Sequence, residues 1–470
     1  MGVVEPLSLE KLAAPSRQSL LALSWLNFFM AGMQTAFGPI AAAYLAAQEW
    51  TAKDIGFVLS IGGIASLVSQ VPGGELIDAV RAKRLLVAIG VVTVALSTLI
   101  FRLWPSFPLV TLAEVLQGIT GGVVGPAVVA ITLGLVGHAK LAERLGQNQR
   151  FAAAGGVAVT LTMALVAYSE SPWAMLVPVG LAVPVLVALN QIRAQEIDFG
   201  RASGAEHIHA DRPQRARRDA ALVKNYRLLI FAICMLLFQV ANASMLPLVN
   251  GMLANEGKRQ VAPVVAALII VPQLIVALLA PWVGQRAEKR GRKPLLLVGF
   301  AALPIRAVLF ALTTNPPVLI AIQVLDGITG AMIGVMTALV IADVTKGTGR
   351  FNLAQGMFGT LMGVGASLSP TLSGLIVHHL GYWAGFVSLA GEGLIALVVL
   401  ALFLPETKED PHPGGDQPAL MNGRILEEHR HWRGPLLPPA RSRLRLEPPP
   451  FPRASRRRPR REPPRRRRRR

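Results

Sequence analysis

The sequence predicts an all-α membrane protein of twelve transmembrane helices, arranged as two pseudo-symmetric six-helix bundles. Three observations carry that prediction. Of 470 residues, 52% are hydrophobic and only 16% charged, where a soluble domain carries about 25% charge. The apolar residues gather in runs of about 18 to 28, the length a helix needs to cross a bilayer core of about 30 Å. Segments of the first half also recur in the second at a nearly constant offset.

Taken in order, the first run, 20–46, holds Asn27 and Gln34, seven residues apart and so on one helix face. It also holds Pro39, and it is too long for a cleaved signal peptide, so it is expected to stay as an anchor. Runs 54–73 and 85–104 are joined by "GGELIDAVRAKR", which contains Gly74, Asp78, Lys83 and Arg84. Run 108–136 places Glu114 and Gln117 three apart, with Gly118, Gly121 and Gly125 stepping along the Glu114 face. Runs 151–168 and 173–190 complete the first half.

A polar stretch at about 191–225 reads as a connector, and its His207 and His209 as solvated rather than metal-binding. Run 226–249 carries Gln239, Asn242, Pro247 and the single cysteine, Cys234. One cysteine excludes a disulfide or a thiolate metal site within the chain. Run 261–283 leads into "GQRAEKRGRKP", with Gly284, Glu288, Gly291, Arg292 and Lys293. Runs 295–313, 316–342, 353–379 and 382–404 follow. They hold Arg306 and then Gln323 and Asp326, with Gly327, Gly330 and Gly334 beside these last two. The domain plan is therefore an N-terminus 1–18, a bundle 19–190, a linker 191–225, a bundle 226–405 and a tail 406–470.

Charge sets the orientation. Leaving out the tail and the arginines inside runs, about 22 Lys and Arg lie on one side, against Lys53, Arg102, Lys258 and Arg259 on the other. The positive-inside rule then puts both termini in the cytoplasm. A nucleic-acid patch would need aromatic or base-reading side chains, which the basic loops lack, so no specific nucleic-acid partner is expected.

The repeat is explicit. Gly118, Ile119, Thr120 and Gly121 recur as Gly327, Ile328, Thr329 and Gly330, at an offset of 209. Gly74 and Asp78 recur as Gly284 and Glu288 at 210, and Gln34 and Pro39 as Asn242 and Pro247 at 208. Three matches at one spacing indicate two parallel repeats.

After Lys408 the composition changes. Residues 409–470 contain eighteen arginines and seven acids, a net of +11 out of the chain's +20. Such a Pro/Arg sequence is expected to be disordered. It fits attachment to anionic lipid, nonspecific nucleic-acid binding, or GC-rich DNA translated past a frameshift.

The glycine, leucine, aspartate and basic run from Gly74 through Leu76 and Asp78 to Lys83 and Arg84 resembles the signature of the major facilitator superfamily, with Arg81 where glycine is usual. The second copy keeps Gly284, Gly291, Arg292 and Lys293, with Glu288 as its acid. "LPETK" at 404–408 is similar to that family's end to a twelfth helix. "LNFFMAGMQTAFGP", "FQVANASMLPL" and "GRFNLAQG" resemble a bacterial branch of unassigned substrate.

The resemblance implies a multi-pass transporter in the cytoplasmic (inner) membrane, whose two bundles rock about a central site. A monomer suffices for that, with a small-molecule substrate and protons as partners and no cofactor. The basic loops become a cytoplasmic gate of Gly74, Asp78, Lys83, Arg84, Gly284, Glu288, Gly291, Arg292 and Lys293. Helices 1, 4, 7 and 10 would line the cavity.

Candidate cavity residues are then Asn27, Gln34, Gln117, Gln239, Asn242 and Gln323. Each amide has the alternative of bonding only a neighbouring helix. Glu114 and Asp326 are the candidate proton carriers, since an ionised side chain at bilayer depth costs about 2.5–3.5 kcal/mol. Asp326 has the alternative of pairing with Arg306, which lies at similar depth.

Drug–proton antiporters of this family carry an arginine at the Glu114 position and a Gly-Pro signature in the fifth helix, both missing here. Export is slightly favoured over an uptake permease or a receptor that has lost transport. No nucleophile, base and oxyanion group assemble from the loops, so no enzyme is expected.

Overall fold

The structure is a computed structural model that describes residues 15–168, 176–205, 224–255 and 261–408. His207, His209 and the basic tail beyond 408 lie outside the described residues. Every regular element among the described residues is helical. In chain order they are α1 (Arg17–Ala47), α2 (Ala52–Ala79), α3 (Lys83–Leu103), α4 (Phe107–Val136), α5 (Leu141–Tyr168) and α6 (Val177–Gln191). A short α7 (Phe199–Ser203) lies in the connector. There follow α8 (Tyr226–Asn242), α9 (Met245–Asn255), α10 (Val261–Arg290), α11 (Lys293–Ala311), α12 (Pro316–Thr345) and α13 (Phe351–Phe403).

Over the described residues the apolar runs lie on these helices, run 226–249 being divided between α8 and α9 and run 173–190 described from residue 176. Among the described residues eight spans are long and apolar enough to cross a membrane, one of them being α8 and α9 taken together, Tyr226–Leu253. Another, α13, carries two runs. It is broken at Gly381, whose φ of 84° and ψ of 172° cannot continue a helix.

Local chemistry sets the ends. The Asp54 N–H donates to Thr51 Oγ1 at 3.2 Å, capping α2, and the Arg227 N–H donates to Asn225 Oδ1 at 3.0 Å, capping α8. Gly137, at φ 66°, ends α4. Pro247 has no N–H to bond one turn back, and the helix is interrupted at Ala243–Ser244, between α8 and α9.

Packing repeats between the halves. In the first, α2 and α3 pack on α4, α1 packs on α5, and α3 on α6; in the second, α10 and α11 pack on α12, and α8 and α11 on α13. The halves meet through α5 on α10 and α2 on α13, two seams that correspond under the same repeat. Lipid offers helices no hydrophobic reason to associate, so close approach depends on small residues. The seams supply them. A Cβ on Gly146 would strike the Ala280 carbonyl, and one on Gly356 the Gln70 carbonyl.

Candidate functional site

Two places gather polar groups, one at mid-helix and one at the helix ends that bear the basic loops. At mid-helix, Arg306 of α11 forms an ion pair with Asp326 of α12 and donates from its other terminal nitrogen to Asn242 Oδ1. Its Nε lies 3.1 Å from Met245 Sδ. Asn242 and Met245 flank the interruption before Pro247, so the broken turn is what turns both toward the guanidinium. The break is itself held. The Ser244 N–H donates to Ser369 Oγ at 3.1 Å, and the two hydroxyls lie 2.7 Å apart.

The pair is unequal. Arg306 is 3% exposed and the Asp326 side chain 32%. Asp326, Gly330 and Gly334 follow one another at steps of four on one face of α12. On that face a Cβ at Gly334 would strike the Gln149 side chain of α5, in the other half. Nearer Asp326, a Cβ at Gly330 would meet Val276 of α10, in the same half.

The remaining candidates are scattered. Glu114 is buried against Gly62 of α2, and its Oε1 has no hydrogen-bond partner among the described residues. Gln117 Nε2 is likewise buried without one. Asn27 donates to the Leu23 carbonyl of its own helix at 2.8 Å, and Gln323 donates to the Leu268 carbonyl of α10 at 2.8 Å. Gln34 is exposed, and Gln239 packs against Gly365. Of the eight cavity and proton candidates, the structure joins Asn242 and Asp326, through Arg306. Among the described residues no group of three or more His, Cys, Asp or Glu forms a metal site.

At the loop-bearing end, Asp78 reaches across the α2–α13 seam. Its Oδ1 accepts from the Asn352 N–H at 3.2 Å and from Asn352 Nδ2 at 2.7 Å, and its Oδ2 accepts from the Leu353 N–H at 2.9 Å. A carboxylate thus sits on the first turn of α13, where unpaired N–H groups and the helix dipole favour negative charge. A Cβ on Gly74 would strike the Asn352 carbonyl. The second copy does the same at the other seam: a Cβ on Gly284 would strike the Ala142 carbonyl, and Glu288 accepts from the Ala142 N–H at the start of α5.

The basic residues of the two loops brace their own halves. Lys83 Nζ donates to the Ile77 and Val80 carbonyls, and Arg84 to the Leu189 and Asn190 carbonyls at 3.1 and 3.2 Å. Arg292 pairs with Asp343 at 2.9 Å. Glu406 accepts from the Arg292 N–H at 2.8 Å and the Lys293 N–H at 3.1 Å, above Gly291 at φ 89°. Gly74, Asp78, Gly284 and Glu288 cross the seams.

Sequence reasoning missed several groups. Asn352 and Glu406 stood in quoted segments, "GRFNLAQG" and "LPETK", without an assigned role. Glu392, in the second arm of α13, has a buried Oε2 with no partner among the described residues, and lies outside the four helices expected to line the cavity. Glu196, after α6, accepts from the Ser16 N–H and Oγ, both at 3.0 Å. Burial pushes its carboxyl up, but hydrogen bonds from Ser19 and Ser16 and the charge of Arg193 outweigh that and hold it below the usual range.

Comparison with known proteins fits this architecture. The profile of the family described as Major Facilitator Superfamily matches residues 23–277 and 261–460. An uncharacterized MFS-type transporter of Mycobacterium tuberculosis (strain ATCC 25618 / H37Rv) is 37% identical over 391 residues, covering 82% of this chain and 93% of the relative. The multidrug efflux pump LfrA of Mycolicibacterium smegmatis is 27% identical over 194 residues, covering 41% of this chain and 37% of that pump. Among solved structures, the E. coli fucose:proton symporter FucP superposes with a TM-score of 0.61 at 13% identity, covering 83% of this chain and 98% of that one. The proton:xylose symporter XylE gives a TM-score of 0.61 at 15% identity, covering 83% and 96%.

Proposed function

The chain belongs to the major facilitator superfamily, and on that premise we propose that it exports a small molecule across the cytoplasmic membrane by proton-coupled alternating access. The moving units are the bundles 19–190 and 226–405, with both termini cytoplasmic. The observation that carries the reading is the Arg306–Asp326–Asn242 cluster at the interrupted helix. It sets a partly exposed carboxylate against a buried base at a broken helix.

The charges imply a cycle. An ionised Asp326 is tolerable at this depth because Arg306 compensates it. A proton or a substrate donor arriving at the exposed oxygen weakens that pair and alters what holds Asn242 at the broken turn. All three Arg306 nitrogens already have partners, so a dianionic substrate meets no uncommitted guanidinium there. Glu114 of α4, buried against α2, is a second carboxyl able to take up a proton. Asp78 and Glu288, lying across the seams at the loop-bearing ends, favour the state closed to the cytoplasm.

Expression of the full chain in an efflux-deficient bacterial host, with a dose–response panel of toxic compounds, tests this reading. Protection that Asp326→Asn abolishes at equal membrane abundance supports export with Asp326 in the cycle. Confirmed membrane expression without any protection sinks export of that panel and points to uptake of a metabolite instead.

A further inference from the structure

The connector between the halves does more than join them. After α6 it turns back over the loop-bearing ends, and the Asp198 N–H donates to the Gly134 carbonyl at the end of α4, at 3.1 Å. Asp198 caps α7 by accepting from the Arg201 N–H at 2.7 Å. The Phe199 ring then lies under two cations of the α2–α3 loop, Lys83 Nζ at 4.9 Å and the Arg81 guanidinium at 5.7 Å. Gly134 makes room for this: a Cβ there would lie 2.8 Å from Ile197 Cγ2 and 2.9 Å from Ala202 Cβ. All these contacts are with the first half.

The far end of α7 touches the second half. Asn352 Nδ2 donates to the Ala202 carbonyl at 2.9 Å, and the Gly349 N–H donates to the Gly204 carbonyl at 3.4 Å. Gly204, left-handed at φ 74°, fits within 3.2 Å of Phe351 Cβ, counted from where its own Cβ would be. One side-chain amide therefore holds two things at once: the Asp78 carboxylate at 2.7 Å and the connector carbonyl at 2.9 Å. Both bonds cross between halves, and both are buried, so neither is replaced by water while the seam is shut.

We propose that Asn352 is a positioning residue of the gate and that the docked connector, Asp198–Ala205, is a second latch beside Asp78, travelling with the first half and leaving Asn352 when the halves part. This rests on the alternating-access reading. The Phe199 ring fixes where the Ala202 carbonyl is presented, and the Asn352 amide ties that carbonyl to the acid that caps α13. Losing the ring frees the connector and removes none of the bonds from α13 to Asp78, nor any of the mid-helix cluster.

The test is a distance measurement in membranes on the full chain. Spin labels are placed on Ala139→Cys in the first half and Lys346→Cys in the second, in a Cys234→Ala background. The expected result is that Phe199→Ala raises the population with separated ends by at least about threefold, the scale of a lost cation–π contact. Phe199→Tyr, which keeps the ring, leaves the distribution unchanged. Maleimide labelling of the buried Ser203→Cys rises in parallel in Phe199→Ala, a readout that a merely unstable protein would not couple to the distance. If Asp78→Asn moves the distribution and Phe199→Ala does not, the connector is passive and the proposal is overturned while the gate stands. If neither moves it, the gate reading falls as well.

Discussion

Asp78 and Asn352 are separated by 274 residues in the chain and meet at 2.7 Å, buried, across the seam between the halves. An acid from the first repeat thereby serves as the helix cap of the second. Removing its charge tests what that cap is worth. Asp78→Asn keeps the shape but sets an amide against the Leu353 N–H, and should lower the stability of the closed state by about 1–2 kcal/mol. Transport should fall roughly tenfold with that shift. An initial-rate assay beside a thermal unfolding midpoint reads both, and an unchanged rate would refute the role.

The two seam glycines should fail alike. A Cβ at Gly74 or Gly284 meets backbone carbonyls rather than movable side chains, so each alanine variant should cost about 1–3 kcal/mol in the closed state. Spin-label distances across the loop-bearing ends should lengthen in both, at α2–α13 for Gly74→Ala and at α5–α10 for Gly284→Ala. A normal distribution in either would remove that seam from the gate.

Breaking the mid-helix pair from one side should be worse than removing it whole. Arg306→Met leaves the Asp326 carboxylate with its base gone, a loss of about 3–5 kcal/mol. The double variant Arg306→Met, Asp326→Leu should recover most of the stability and none of the transport. Detergent melting curves set against vesicle transport separate the two effects, and recovery of transport would mean the pair is only structural.

Glu196 gives a pH signature. Its carboxyl is held below the usual range in the folded chain. Its contribution is therefore full above the unfolded value of about 4.3 and is lost as pH falls through the lower folded value. Amide exchange at 16–19 should accelerate over that acid window, and Glu196→Gln should abolish the pH dependence. Identical profiles for the two proteins would refute the assignment.

Much of the architecture is legible because lipid imposes it. A helix must be long and apolar to cross, and the described parts of these runs are helical, including the pair divided at Gly381. The repeat offset paired Gly74 with Gly284, and the structure gives the two the same steric demand, one at each seam. The Arg306–Asp326 pair was foreseeable from depth alone, as two charges at one level in hydrocarbon have strong reason to meet. The caps were not. Whether Asn352 finds Asp78, or Gln323 the Leu268 carbonyl, depends on which backbone groups tertiary packing brings within about 3 Å, and periodicity carries no such information. The same holds for the basic residues: Lys83 and Arg84 bond carbonyls, and Arg292 an acid, of their own half.

The distance along the chain between Asp78 and its cap has a consequence for how the protein is made. At roughly 5–20 residues per second, synthesis of the intervening 274 residues takes about 14–55 s. From the completion of α6 until α13 is made, this carboxylate lacks its partners on α13, and Lys83 and water at the bilayer face are what it has. Arrival of α13 replaces that water with three N–H groups at once, so the closing hairpin completes a joint that the first half was built to leave open.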